Sequence, residues 1–338
     1  MKAYQIEAGS SSLDGLKQVE LDKPEAGPGE VLVRVRATSL NYRDQAVVIG
    51  KYFIGPLQRD TIPLSDGAGE VEAVGDGVTR FKAGDRVAGT FFQGWVNGHP
   101  PASIPGIALG APLDGMLAEY VVLSEEGLVG IPDNLSFEEA ATLPCAGVTA
   151  WNALMEGRTL KPGDTVLCLG TGGVSMFALQ FGRMAGARVI VTSSSDEKLE
   201  RAKALGADGL INYRNTPNWA EEVMKLTGGQ GVSQVVEVGG AGTLPLSYQA
   251  VGSGGEIALI GVLAAPDGDL SPHGLMFKAA TLRGIFVGNR DMFDGMNKAI
   301  ATNGIQPVIG ATFDFDQAVE AFQHQMTASH FGKIVITV

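Results

Sequence analysis

The stretch CLGTGGVSM, residues 168–176, carries residue types and a spacing suited to holding phosphate. Gly170 permits a tight turn, and Gly172 and Gly173, followed by Val174, let backbone come close to a pyrophosphate. That anion would rest on the opening turn of the next helix, where unpaired N–H groups and the helix dipole favour negative charge. Ser175 stands where a dinucleotide fingerprint has its third glycine, and serine is the next best in size. About 20 residues further on, an NAD site places an acidic side chain on the ribose 2′-hydroxyl. Here the corresponding run is Thr192-Ser193-Ser194-Ser195, with Lys198 and Arg201 close behind. Hydroxyls and cations suit a 2′-phosphate, so NADP(H) is expected in preference to NAD(H). Asp196 could serve as an NAD carboxylate, but it falls in a first helical turn, where such residues usually cap or offset the dipole.

A second stretch, TLPCAGVTAW (142–151), holds one of only two cysteines. Cys145 could be a metal ligand, a nucleophile or core packing. Two cysteines cannot build a disulfide framework, which points to a reducing, cytoplasmic setting. The N-terminal MKAYQIEAGSSS lacks an apolar stretch of the signal-peptide kind, and no run reaches the roughly 20 apolar residues of a membrane span. A net charge of −12 repels phosphate backbones and argues against nucleic acid as a partner. A small-molecule substrate is expected instead.

The elements that must position these residues change character along the chain. With 338 residues, two domains are expected. VLVRVRAT (31–38) alternates with period two, and GAGEVEAVGDGV, DRVAG and AEYVVL are similar short runs, as in a small sandwich or barrel. Residues 91–115 form an irregular Gly- and Pro-rich excursion whose Phe91, Phe92 and Trp95 would be costly to leave in water. It reads either as a surface loop or as a lid or pocket wall. From about 135 onward, strands alternate with helices, as in a parallel α/β sheet. Ser136 with Glu139, and Ser194 with Glu197, have capping-box spacing. Pro144 should break the first helix, and a second helix should run to Gly157. Leu199, Ala202 and Leu205 share a helix face that Gly206 terminates. The last 26 residues read as one helix and one strand outside that sheet.

GEVLVRV, SDGAGEV with GDRV, AEYV, AATLPCAGVTAW, KPGDTVL, the glycine turn, ALGAD, GIFVGNR and GKIVI occur in the order found in one family. On these motifs the chain resembles the medium-chain dehydrogenase/reductase superfamily, nearly end to end. The resemblance implies an α/β fold: a Rossmann doubly wound parallel sheet (125–289) inserted in a GroES-like β-barrel catalytic domain (1–124 with 290–338), with cofactor and substrate between them. It also implies an oligomer, here a homodimer, with pairing near TLRGIFVG.

The zinc alcohol dehydrogenases in that superfamily take ligands from three positions that here hold Asn41, Ser65 and Cys145. Asn and Ser are poor zinc ligands, and 91–115 has no cysteine for a structural zinc. The expectation is therefore no metal, with Cys145 a small apolar residue and Thr149 the working member of its stretch. In the zinc-free branch, similarity implies Tyr52 as an acid or carbonyl-holding group and Asn41 as an amide donor. Tyr42 is an alternative acid, and Asp44 and Asp66 pair with Arg43 or cap backbone. For the cofactor it implies Thr149, Lys198, Tyr213, Val238, Gly239, Gly261, Val262, Phe286, Val287 and Gly288 beside the glycine turn. The expected activity is NADPH-dependent, zinc-independent reduction of a quinone, enone or related conjugated carbonyl. An alcohol/carbonyl dehydrogenase of the same fold, or a nucleotide-binding scaffold or sensor without turnover, are the alternatives.

Overall fold

Six short strands between Thr165 and Gly284 form one parallel sheet, in the order Gly209–Asn212, Arg188–Ser193, Thr165–Cys168, Val232–Glu237, Val251–Leu259, Thr281–Gly284. By chain position this is 3-2-1-4-5-6, the doubly wound dinucleotide-binding order, which reverses direction beside Thr165–Cys168. The central strands are apolar on both faces, as helix-covered parallel strands must be, and Val166, Leu167, Cys168, Val189 and Ile190 are fully buried. The computed structural model describes residues 1–261, 263 and 271–338.

The other unit is built on the long strand Glu30–Leu40. It pairs antiparallel with Asp66–Val74 along one edge, and with Tyr120–Ser124 and then Lys333–Thr337 along the other. Arg86–Gly89, Leu128–Gly130 and Ile309–Asp314 complete a seven-stranded GroES-like sheet, and Lys2–Ile6 pairs separately with Leu16–Glu20. Period-two alternation in VLVRV places Val31, Val33 and Val35 in one core with Leu64, Met116, Phe322 and Ile336. The closing strand belongs to this sheet, as its end-of-chain reading allowed.

The compact units are Met1–Val148 with Gly288–Val338, and Thr149–Val287. The first crossing therefore lies later than the expected 124/125. The reason is local: Leu128–Gly130 hydrogen-bonds to Arg86–Gly89 and keeps the following segment with the first sheet.

Helix signals are mostly met. Ser136 and Glu139 form a reciprocal capping box, and Leu199 and Ala202 are buried ahead of Gly206 at φ +99°. The cap of Asp196–Ala204 is Ser195, not Ser194: the Ser195 hydroxyl accepts from Lys198 N–H. Pro144 starts rather than interrupts the next helical stretch, occupying the first turn of a wide-turned run that begins at Leu143. Proline's missing N–H costs nothing there.

Candidate functional site

In the first unit, residues far apart in sequence meet at the end of Glu30–Leu40. Gly332, at φ +75°, turns the chain so that Ile334 pairs with Leu40 and Lys333 lies just beyond it. A side chain at Gly332 would strike the Val308 carbonyl at 2.3 Å, so glycine is required before this lysine. The Lys333 ammonium donates to the Leu40 carbonyl and to Asn41 Oδ1, each at 2.6 Å, and lies 3.6 Å from Asp66 Oδ2. Lys333 is 3% exposed and Asp66 0%. The Asp66 carboxylate also accepts from the Ser65 hydroxyl (2.8 Å), Cys145 N–H (3.2 Å) and the Ser39 hydroxyl (3.4 Å). Asp66 therefore caps backbone at Cys145 N–H, one of the two expected roles, and its charge partner is Lys333 rather than Arg43.

Asn41 precedes the short helix Tyr42–Val48. Its backbone N–H donates to Asp44 Oδ2 at 2.7 Å, so Asp44 caps backbone as expected. Burial pushes the Asp44 carboxyl up to about 6, against the pull of the Arg43 guanidinium. Arg43 donates to the carbonyls of Leu109 (2.8 Å) and Ala111 (2.9 Å), and its guanidinium lies over the Tyr52 and Phe91 rings at 5.0 and 4.7 Å. It thus ties the 91–115 excursion to the helix. Phe91, Phe92 and Trp95 are buried in that excursion, which is a packed part of the unit. Gly110 and Gly115 lie so close to Leu64 backbone that a Cβ would sit 2.7 and 2.1 Å from its atoms. Leu64 itself is held at φ +70° immediately before Ser65 and Asp66. A non-glycine residue there is strained, and such strain collects at functional sites.

Tyr52 is half-buried, and Tyr42 is exposed. Burial raises the Tyr52 phenol, while Arg43 beside it opposes the rise. Burial also drives the Cys145 thiol far up, and Asp66 adds to this more than Lys333 relieves it. A thiol so disfavoured from ionising does not serve as a free nucleophile.

In the second unit, Gly170 has φ +76° and Gly172 caps the helix Gly173–Met184. A Cβ at Gly170 or Gly172 would meet no protein atom, so the cradle is open on the side where a phosphate would lie. Ser175 is buried and its hydroxyl donates to the Leu169 carbonyl at 2.6 Å, clasping the turn from inside. The close helix–strand approach falls elsewhere, at Gly182, where a Cβ would meet Val189 at 2.9 Å. Thr192 accepts from Gly170 N–H at 3.2 Å and links the turn to the second strand.

At that strand's end, Asn212 pairs with Ser193 and Tyr213 N–H donates to the Ser193 carbonyl, which brings Tyr213 beside Ser193, Ser194 and Ser195. The Lys198 ammonium pKa is lowered by burial and then by the like charge of Arg201, so two cations share this corner. The Asp196 carboxylate accepts from Asn212 Nδ2 at 2.6 Å, in the first turn of its helix.

Thr149 is buried. Val238, Gly239 and Gly261 gather at neighbouring strand ends, where Gly261 approaches the Val238 carbonyl so closely that a Cβ would overlap it. Sequence reading missed Glu237, a fully buried carboxylate that accepts from Gly239 N–H, Gly240 N–H, Thr243 and Ser247 and so shapes that turn. Val262 lies outside the described residues. Phe286 is partly exposed; Val287 is buried at φ +54°, again strained for a β-branched residue. Its carbonyl accepts from Asn152 Nδ2 at 2.8 Å, and Asn152 is held by Arg283, itself paired with Glu256. Gly288, in the first unit, leaves no room for a Cβ beside Val148 and Met292.

An open glycine turn in a 3-2-1-4-5-6 sheet and a GroES-like sheet with a buried polar cluster define a dinucleotide-type oxidoreductase architecture. Two family models match: an alcohol dehydrogenase GroES-like domain over 27–133, and a zinc-binding dehydrogenase domain over 173–302. A zinc-type alcohol dehydrogenase-like protein of Schizosaccharomyces pombe is 46% identical over 99% of both chains. A quinone oxidoreductase of Pseudomonas aeruginosa is 38% identical over 72% of this chain and 68% of its own. A solved candidate alcohol dehydrogenase from Sinorhizobium meliloti 1021 is 42% identical, with a TM-score of 0.91 and full coverage of both chains. The chain belongs to the medium-chain dehydrogenase/reductase superfamily, and it is an NAD(P)-dependent oxidoreductase of that family.

Proposed function

We propose that the protein is an NADPH-dependent, zinc-independent reductase of quinones, enones or related conjugated carbonyls. The observation that carries this reading is the Lys333 ammonium, set 2.6 Å from Asn41 and 3.6 Å from Asp66. It places a fixed positive charge among the residues that would have to hold a catalytic zinc. Asn41 and Ser65 are poor donors for that metal, which leaves Cys145 alone where about three good ligands are needed. Among the described residues, no three His, Cys, Asp or Glu side chains gather as a metal site.

A bound reduced nicotinamide would supply the hydride. The turn Gly170-Thr171-Gly172-Gly173 would receive its pyrophosphate, and Val174 opens the helix behind it. Ser193, Ser194, Ser195, Lys198 and Tyr213 would take the 2′-phosphate, a role supported by the shared corner of Lys198 and Arg201 and by the engagement of Asp196 with Asn212. Thr149, Val238, Gly239, Gly261, Phe286, Val287 and Gly288 remain the proposed contacts for the rest of the cofactor. As hydride reaches carbon, charge builds on the carbonyl oxygen. The Asn41 amide would hold it, and the Tyr52 phenol would deliver the final proton.

An alcohol/carbonyl dehydrogenase is the second reading, favoured by the similarity to the Schizosaccharomyces pombe protein. A homodimer fits the edge position of Thr281–Gly284 in its sheet; sedimentation at a monomer mass would remove it. The deciding experiment assays NADPH and NADH with trans-2-hexenal, 1,4-benzoquinone and simple alcohols, beside metal analysis. One zinc per chain with alcohol turnover would overturn the first reading.

A further inference from the structure

Five buried polar atoms without a hydrogen-bond partner cluster in the eight residues from Thr38 to Gln45: Thr38 Oγ1, Asn41 Nδ2, Arg43 Nε, Asp44 Oδ1 (3.8 Å from the Arg43 guanidinium) and Gln45 Oε1. Unpaired buried polar atoms are costly, so a concentration of them needs a reason. Asn41 gives the clearest one. Its side chain is nine-tenths buried. Its carbonyl oxygen is taken by Lys333 at 2.6 Å, while its Nδ2 has no partner. The orientation of this amide is not arbitrary. An ammonium has three donors and no acceptor, so only Oδ1 can face it, and the N–H₂ must point the other way.

Lys333 is itself buried and engaged: two of its donors go to the Leu40 carbonyl and Asn41 Oδ1, and the Asp66 carboxylate stands 3.6 Å away as its ion-pair partner. Its charge is thus aimed at these groups rather than outward. What it can do is act through Asn41. A cation on the amide oxygen draws electron density from the nitrogen, and hydrogen bonds in such a chain strengthen one another. The Asn41 N–H₂ becomes a stronger donor, fixed in direction before any ligand arrives.

We infer that Lys333 is a positioning residue that orients and polarises the Asn41 amide, so that Asn41 Nδ2 is the group that takes the charge on the substrate's carbonyl oxygen. This rests on the carbonyl-reducing reading above and extends it to a residue 292 positions away. The Asp66 carboxylate, with its donors Ser65, Ser39 and Cys145 N–H, fixes the lysine in turn.

The test uses the full-length protein with NADPH and either trans-2-hexenal or 1,4-benzoquinone. Asn41→Asp keeps an acceptor for Lys333 but removes the free donor, and kcat is expected to fall on the order of 100-fold. Lys333→Met leaves Asp66 unpaired and costs stability, so the charge-balanced pair Lys333→Met with Asp66→Asn accompanies it. That pair is expected to lose about tenfold in kcat with KM nearly unchanged, and Lys333→Arg should recover part of the loss. A second readout needs no turnover: the Asn41 side-chain N–H₂ resonance in [15N]Asn-labelled protein, assigned through its loss in Asn41→Ser. It should shift in Lys333→Met/Asp66→Asn. An unmoved resonance, or a charge-balanced pair with wild-type kcat while Asn41→Asp is impaired, overturns the role of Lys333. Wild-type kcat in Asn41→Asp with a shifted resonance overturns the carbonyl-holding reading instead and leaves the lysine–amide linkage standing.

Discussion

The glycine turn at 168–176 and the polar cluster around Asn41 solve opposite problems. The turn is local. Its residues are adjacent in sequence, its internal hydrogen bond from Ser175 to Leu169 spans six residues, and it presents open backbone. The cluster is assembled from residues 39–44, 65–66, 145 and 333, and its members hold one another through hydrogen bonds across long sequence separations, leaving Asn41 Nδ2 without a hydrogen-bond partner. One consequence is that damage to the turn should appear in cofactor affinity, whereas damage to the cluster should appear first in stability.

The largest effect is expected at Lys333. Lys333→Met strands the Asp66 carboxylate in a fully buried place. Breaking such a pair from one side costs about 3–5 kcal/mol, and urea unfolding measures it. Adding Asp66→Asn should restore most of that stability. If Lys333→Met alone unfolds at the wild-type urea midpoint, the cluster is not interlocked and the contrast with the turn collapses.

Asp44 gives the next effect, and its sign is opposite. Burial holds its carboxyl up at about 6, so the folded state binds a proton more tightly than the unfolded state does. That favourable contribution is fully present below about pH 4 and is lost as pH rises through about 6. At pH 7 the buried charge is a burden of about 3 kcal/mol. Asp44→Asn keeps an acceptor for the Asn41 N–H and should be more stable than wild type at pH 7, with the difference vanishing near pH 4. Thermal unfolding across that range checks it; a variant less stable at pH 7 would show that the carboxylate is held by more than the Asn41 N–H and Arg43.

Gly172→Val probes the turn. Gly172 has φ −77°, ψ −177°, which valine adopts readily, and its Cβ would meet no protein atom. Stability should change by less than about 1 kcal/mol, the scale of a lost cap. NADPH affinity should fall on the order of 100-fold, because backbone can no longer approach the pyrophosphate. Calorimetric titration separates the two, and unchanged affinity would remove the turn from the cofactor site.

The same contrast explains what was legible in the sequence. The alternation of strands and helices, the turn and the Ser136 cap follow from contiguous patterns, and each is found where the pattern lies. Asn41 and Cys145 could be placed near one another only through the family resemblance. Lys333 was missed, although a lysine directly after a glycine and opening an apolar strand is an unusual choice for burial. Its partner is set by antiparallel register across 293 residues, and register is not a local property. Glu237 was missed for another reason. A lone acid closing a strand reads as exposed until the two N–H groups and two hydroxyls that surround it are known.

The smallest effect, and the one that bears on cofactor choice, lies at Lys198. Burial and the like charge of Arg201 lower its pKa, with Glu197 opposing, so two cations stand close together at this corner. A 2′-phosphate, carrying close to two negative charges, would relieve that repulsion, while a ribose 2′-hydroxyl would not. Lys198→Ala should therefore lower kcat/KM for NADPH about tenfold and leave NADH almost untouched, since a point-charge contact to phosphate is worth on the order of 1–2 kcal/mol. Arg201→Ala should act in the same direction but more weakly, because Arg201 stands one helical turn further from the strand end. The discriminating quantity is the ratio of the two efficiencies, not either alone, because loss of a general surface charge would shift both together. A wild-type preference for NADH, lost instead in Asp196→Asn, would transfer the recognition role to the carboxylate that here accepts from Asn212.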